Sequence, residues 1–331
     1  MRLLVCGGAG FIGSTFVRRR LAAGDAVVVL DKLTYAGREE NLAEVRDRIA
    51  FRHGAVEDAD AVAEAVAGCD AIVNFAAETH VDRSIAAPDA FVTTHARGTY
   101  VLLEAARTAG IRHVQVSTDE VYGSIAEGSF TETSPLRPSS PYSATKAGAD
   151  LLVAGYRHTY GLDGVVFRGS NAYGPRQYPE KLIPLMVLNA LHGDPLPVYG
   201  DGRQVRNWIW VEDFADAVGI VLEHGAPGAT YNAGGPDEVA NLDVVRRILA
   251  LTGRGDDLVR HVPDRPGHDR RYSLASGPLQ ALGWAPRVRF GEGLERTVAW
   301  YRENAWWWEP IRSGEYRAYY ERQYGTALRD G

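Results

Sequence analysis

Two hydrophobic rhythms alternate along the first half of this 331-residue chain. Short β-branched runs fall at 3–6, 26–30, 50–53, 71–75, 114–117 and 165–168, and read as strands. Between them, apolar residues recur at helical spacing near 12–23, 58–67, 86–109 and 142–160. A strand–helix–strand order of this kind predicts an α/β fold with a doubly wound parallel sheet and right-handed crossovers. The rhythm breaks after Asn171, where Pro175, Pro179, Pro184, Pro195 and Pro197 punctuate a mixed stretch. Helical patterns resume at 241–252 and 291–303. The expected organisation is a doubly wound domain over 1–170 and a smaller α/β lobe over 171–331. Segments around 207–233 are candidates to return to the first domain.

Composition changes this picture little and excludes several classes. Charged residues at 24% and hydrophobic residues at 45% are ordinary for a globular enzyme. The net charge of −6 offers no basic footprint for nucleic acid or an anionic membrane. An anionic substrate must therefore be met by local arginines. Two cysteines, Cys6 and Cys69, make no disulfide framework, and Cys6 reads as a core residue of the first strand. The start of the chain runs directly into Arg2-Leu3-Leu4-Val5-Cys6 with no secretion signal, and no apolar run approaches the roughly 20 residues of a membrane span. The expected address is the cytoplasm. No metal site is predicted.

Candidate chemistry concentrates at three places. Gly7, Gly10 and Gly13, with Phe11 and Ile12 between the last two, form G-x-x-G-x-x-G between a strand and an amphipathic helix. Such glycines allow a tight turn and close approach of a pyrophosphate to a helix N-terminus, the mark of a Rossmann sheet. Asp31 follows about twenty residues later, where a carboxylate binds an adenosine ribose and repels a 2′-phosphate. NAD is favoured over NADP, with Lys32 keeping the choice open. At the second place, Tyr142 and Lys146 stand four residues apart on one helix face, behind a Ser140 cap and Pro141. An adjacent ammonium favours the phenolate that accepts a hydroxyl proton while hydride leaves. At the third, Asp119 and Glu120 follow Thr118 at the carboxyl end of a strand, the edge where open α/β sheets bind ligands. Two neighbouring carboxyls in a desolvated cleft tend to share one proton, providing an acid and a base.

At these residues the chain resembles the extended short-chain dehydrogenase/reductase family and, within it, the dTDP-glucose 4,6-dehydratases. The resemblance spans roughly residues 1 to 310. Its most specific pieces are Asp31-Lys32-Leu33-Thr34-Tyr35-Ala36-Gly37, Glu78-Thr79-His80-Val81-Asp82-Arg83-Ser84 and Thr118-Asp119-Glu120-Val121-Tyr122-Gly123. Pro179-Glu180-Lys181-Leu182-Ile183-Pro184 and Asp264-Arg265-Pro266-Gly267-His268-Asp269-Arg270-Arg271-Tyr272 match as well.

The resemblance implies C4 oxidation of a nucleotide-diphosphate hexose (dTDP-glucose), loss of water across C5 and C6, and return of hydride to C6. By it, Tyr142, Lys146 and Thr118 serve the first step, and Glu120 and Asp119 remove the C5 proton and the 6-hydroxyl. Thr34 and Ala76 join the cofactor set. Asn171, Arg206 and Asn241 face the diphosphate, His80, Glu180 and Lys181 the sugar, and His268 the nucleoside. The resemblance also implies a homodimer paired through the helices at 86–109 and 142–160. Relatives that are UDP-sugar 4-epimerases or decarboxylases remain the alternative; these usually lack the Asp-Glu pair. The chain departs from the dehydratase pattern at Ala55, Ala172, Arg176 and Asn207. The run Trp306-Trp307-Trp308 reads as aromatic packing onto the small lobe, and residues 312–331 carry no legible chemistry.

Overall fold

A computed structural model describes residues 1–313 and 315–329. Gly314, Asp330 and Gly331, which the sequence assigns to the second lobe and its tail, lie outside the described residues. Seven strands make a wholly parallel sheet: β1 (Arg2–Cys6), β2 (Ala26–Asp31), β3 (Ile49–His53), β4 (Ala71–Asn74), β5 (Arg112–Thr118), β6 (Gly164–Gly169) and, after an excursion, β10 (Thr230–Ala233). Their order is β10-β6-β5-β4-β1-β2-β3, so the chain reverses direction across the sheet between β1 and β4. A crevice opens at the carboxyl ends of the strands at such a switch point.

The excursion builds the second region. β7 (Asn171–Tyr173), β9 (Val205–Trp210) and β11 (Asp237–Ala240) form a three-stranded sheet ordered β11-β9-β7. β8 (Leu196–Tyr199) pairs in parallel with β12 (Val259–Val262). Helices Leu182–His192, Asn241–Thr252 and Phe290–Glu303 share an apolar core with these strands. Helix Val211–His224 instead packs on the large sheet, where Phe214 meets Phe167 edge-on with ring centroids 5.0 Å apart. Gly169 makes this possible, because a Cβ there would lie 2.1 Å from the Phe214 ring. Burying that ring contributes on the order of 2 kcal/mol.

One expected helix is corrected. The pattern over 86–109 predicts a single helix, but helix Val81–Ala86 ends at Ala87, whose non-helical backbone precedes Pro88. A proline disfavours helical geometry in the residue before it. The chain then passes through a π-helical stretch, Val92–Arg97, before the regular helix Gly98–Ala109. Helix Glu315–Arg329, unread in the sequence, lays Tyr316 and Tyr324 into the second core. Trp307 and Trp308 are buried there too, with the Trp307 indole N–H donating to Asn41 Oδ1 at 2.9 Å, while Trp306 is exposed.

Candidate active site

The glycine turn packs backbone against backbone. Gly7 has φ +72°, and a Cβ there would lie 2.6 Å from the Ala76 nitrogen. A Cβ on Gly13 would lie 2.2 Å from the Gly7 carbonyl oxygen. Helix Phe11–Ala22 can therefore start directly under the turn, and its Gly10 N-cap supplies no side chain to its first amides. Those amides and the dipole behind them suit a phosphate. Gly7, Gly10, Phe11, Ile12 and Gly13 line one cleft with Asp31, Lys32, Thr34 and Ala76. The Asp31 carboxylate accepts from the Ala9 and Leu33 amides, both at 2.9 Å. Burial raises its pKa against these bonds. Lys32 Nζ lies 3.3 Å from Glu57 Oε1, 3.3 Å from Thr94 Oγ1 and 3.7 Å from Glu78 Oε1. The ammonium is thus shared among groups of its own chain.

Across this cleft lies helix Pro141–Tyr160, started by a reciprocal cap. Ser140 Oγ accepts from the Ser143 amide at 3.1 Å, and Ser143 Oγ accepts from the Ser140 amide at 3.0 Å. The cap and Pro141 fix where Tyr142 and Lys146 emerge, and both line the cleft while nearly wholly buried. Lys146 Nζ donates to the Val116 carbonyl at 2.8 Å. Burial lowers its pKa to about 8, against the pull of the Asp150 carboxylate. Burial, then the Glu120 charge, raises the Tyr142 phenol, while the Thr118 hydroxyl favours its ionised form. His95, from the π-helical stretch, stands edge-on to Tyr142 with centroids 5.8 Å apart and its Nδ1 2.8 Å from Thr145 Oγ1. Burial, then the Lys146 charge, holds this imidazole neutral well below its ordinary pKa.

At the carboxyl end of β5, Thr118 Oγ1 accepts from the Glu120 amide at 3.3 Å and donates to Asp119 Oδ1 at 3.2 Å. The side chains of Thr118, Asp119 and Glu120 join Tyr142 and Lys146 on the cleft wall. Asp119 Oδ2 is buried with no hydrogen-bond partner. Burial, then the neighbouring Glu120 charge, pushes the Asp119 carboxyl up to about 8. Burial raises Glu120 as well, opposed by Arg265, Arg206 and Lys181 in that order. Adjacent in sequence, the two carboxyls sit in different fields, Glu120 being the one ringed by cations.

Two of the seven candidate substrate residues line the same cleft: Asn171, whose Oδ1 is buried without a partner, and Lys181, whose Nζ donates to the Thr79 carbonyl. The others lie around it. His80 Nε2 is 3.4 Å from the Glu180 carbonyl and 3.4 Å from the Tyr319 hydroxyl. Glu180 accepts from Arg83 Nε at 2.9 Å. Arg206 Nη2 donates to the Asp269 carbonyl at 3.1 Å, with its guanidinium 4.3 Å from the Tyr272 ring centroid. Asn241 opens its helix with Oδ1 unpartnered. His268 Nδ1 lies 2.6 Å from Asp264.

Sequence reasoning singled out none of Arg83, Tyr319, Asp150, Arg265 or His95 as a site residue. Arg83 is sandwiched between the rings of Tyr35 at 3.9 Å and Tyr319 at 4.5 Å. Asp150 was within reach, because it continues the Tyr142 and Lys146 face at the next i+4 step. Arg83 and Arg265 stand inside the motif runs at 78–84 and 264–272, whereas His95 and Tyr319 carried no signal. Among the departures, Arg176 takes a left-handed backbone, φ +67°, and ion-pairs with Glu44 at 2.7 Å. Asn207 donates to the Gly235 carbonyl at 2.7 Å.

Comparison with known proteins places this cleft in a family. Residues 4–297 match the family model described as GDP-mannose 4,6 dehydratase. A dTDP-glucose 4,6-dehydratase of Streptomyces niveus is 53% identical over 323 residues, covering 95% of this chain and 96% of the relative. The dTDP-glucose 4,6-dehydratase 1 of Escherichia coli K12 is 46% identical over 360 residues, covering 98% and 99%. The crystal structure of DesIV, a dTDP-glucose 4,6-dehydratase from Streptomyces venezuelae solved with NAD bound, superposes with a TM-score of 0.92 at 53% identity, covering 94% of this chain and 100% of that one. The chain belongs to the GDP-mannose 4,6 dehydratase family and, within it, groups with the dTDP-glucose 4,6-dehydratases.

Proposed function

We propose that this chain is an NAD-dependent hydro-lyase that converts dTDP-glucose to dTDP-4-keto-6-deoxyglucose. The observation that carries the reading is the convergence in one cleft of Tyr142 and Lys146 with the unequal carboxyl pair Asp119 and Glu120. The uncapped amides of helix Phe11–Ala22 suit the pyrophosphate of NAD, and Asp31 suits its ribose. Bound NAD supplies a hydride acceptor for C4, a hydride donor for C6 and a positive charge that favours the Tyr142 phenolate.

The chain's own residues do the rest. Tyr142 takes the proton of the 4-hydroxyl, with Lys146 as its neighbouring cation and Thr118 hydrogen-bonding the same oxygen. The new 4-ketone acidifies the proton on C5, which Glu120 removes and, after exchange with solvent, returns to C5 when C6 is reduced. Asp119, with a carboxyl near pKa 8, carries a proton at neutral pH and passes it to the departing 6-hydroxyl, releasing water. Arg265, Arg206 and Lys181 favour the ionised form of Glu120, the form that accepts the C5 proton. Asn171, Arg206 and Asn241 bind the diphosphate, His80, Glu180 and Lys181 the sugar, and His268 the nucleoside.

The same proposal divides the labour between lobes. Residues 1–170, joined by the stretch around 207–233, hold the cofactor, and the remainder of 171–331 holds the nucleotide sugar. A homodimer is supported by Val92, Tyr100, Leu151 and Tyr160, large hydrophobic residues exposed on two neighbouring helical segments. Sedimentation of the purified chain tests it. A cytoplasmic address fits the two free, buried cysteines and is tested by cell fractionation.

Incubation with dTDP-glucose in deuterated water tests the reaction. The expected product is a 4-keto-6-deoxy sugar with deuterium at C5. A product that keeps its 6-hydroxyl with inverted C4 would make the chain a 4-epimerase instead.

A further inference from the structure

Behind the cleft, the catalytic helix buries a second charged layer. Tyr142, Lys146 and Asp150 repeat at i, i+4 and i+8, so they lie on one face spaced by about 6 Å along the axis. The Asp150 side chain is 2% exposed, and its Oδ2 accepts from Arg168 Nε at 2.8 Å. Arg168, on β6, is equally fixed. Its Nη1 donates to the Tyr122 hydroxyl at 2.7 Å, and that hydroxyl donates to Asn232 Oδ1, on β10, at 2.9 Å. Tyr122 stacks on Phe130 with centroids 4.9 Å apart. Asp150 Oδ1 and Ser117 Oγ are both buried, and the Ser117 hydroxyl favours the ionised form of the Asp150 carboxyl.

A buried carboxylate between two buried cations cannot be there for solubility. Arg168 uses one oxygen of the carboxylate, and the remaining charge is available to the Lys146 ammonium one turn away. The other charged or titratable groups around Tyr142 and Lys146 are His95 with Lys32 behind it, Asp119 and Glu120 from the end of β5, and Arg168. Of these, Asp150 is the one carboxylate that acts on Lys146 appreciably.

We propose that Asp150 is a positioning residue for the redox pair: its carboxylate, pinned by Arg168, is the counter-charge of the Lys146 ammonium. This rests on the assignment of Tyr142 and Lys146 given under Proposed function. Without the counter-charge, desolvation takes the proton from Lys146, and the cation beside Tyr142 is lost at the working pH.

The chain contains only three lysines, Lys32, Lys146 and Lys181. Lysine labelled at Cε therefore gives three NMR signals, and loss of one in Lys146→Met assigns the second. In the unmodified protein the Lys146 signal should titrate near pH 8. In Asp150→Asn its midpoint should fall by about one pH unit, and the alkaline limb of product formation should fall with it. Asp150→Glu should restore most of both. Because Asp150→Asn strands Arg168 and can unfold the chain, Asp150→Asn/Arg168→Gln removes both charges; its midpoint should still fall, by less than in the single variant, since Asp150 is one turn from Lys146 and the loss of the Arg168 cation offsets only part of the change. A merely structural Asp150 would lower thermal stability and leave the Lys146 midpoint unchanged, and that result in either variant overturns the proposal. If the unmodified protein forms no 4-keto product while the titration shifts as described, the assigned reaction fails and the counter-charge stands.

Discussion

The two walls of the cleft are built on opposite principles. On the nucleotide side, Gly7, Gly10 and Gly13 are delivered by one turn and one helix, so seven consecutive residues determine the geometry. On the side where we place the sugar, behind the residues that line the cleft, His80, Glu180 and Tyr319 meet from three segments as much as 239 residues apart in sequence. The first wall is held by backbone contacts that no side chain can relax. The second is held by exchangeable contacts: an arginine between two rings, an ion pair and two long hydrogen bonds. A substitution on the first wall should therefore strike stability and cofactor together. One on the second should strike substrate affinity and leave the cofactor in place.

Variants of graded severity sharpen that contrast. The largest effect belongs to the chemistry between the walls. Glu120→Gln should lower dehydration by about 10²–10⁴-fold, the usual worth of a positioned base, with NAD content unchanged on absorbance of the purified protein. On the rigid wall, Gly13→Ala sets a methyl against the Gly7 carbonyl oxygen. It should cost about 3 kcal/mol in a denaturant titration and yield protein without cofactor. A variant that kept NAD would contradict the backbone argument. On the adaptable wall, Tyr319→Ala removes one face of the Arg83 sandwich and the contact to His80. A rise in KM of about tenfold, with NAD content unchanged, is expected from losses of about 1–1.5 kcal/mol. A loss of cofactor instead would erase the distinction between the walls.

A last test, read in stability and not in turnover, addresses the field at Asp119. Its folded pKa is raised from 3.8 to about 8, so the folded form binds a proton that the unfolded chain releases. The associated stability is present below pH 4 and lost as pH rises through about 8. Asp119→Asn should therefore raise the melting temperature relative to the unmodified protein at pH 9 more than at pH 6. An equal change at both pH values would mean that Asp119 is ionised throughout.

Much of the fold was legible because its signals are local. Each strand run of the first half, the glycine turn and the capped start of helix Pro141–Tyr160 occupy a dozen residues or fewer. The predicted elements and the parallel doubly wound sheet follow from them, with boundaries shifted by a residue or two. The break at Pro88 was equally local but was masked by the alanine-rich pattern after it. The π-helical stretch left no mark in the sequence, since it differs from an α-helix by one hydrogen-bond register.

The sequence by itself determined that a nucleotide turn, a Tyr–Lys helix face and an Asp–Glu strand end exist, because each is set by neighbours along the chain. Only the tertiary structure decided that Glu120 faces three cations while Asp119 is shut away from water, that Lys32 is tied to Glu57 and Glu78, and that Arg168 reaches Asp150. Those facts depend on burial and on charges brought together from distant segments. Coulomb energy and desolvation vary with distance and surroundings, which a linear order of residues does not contain.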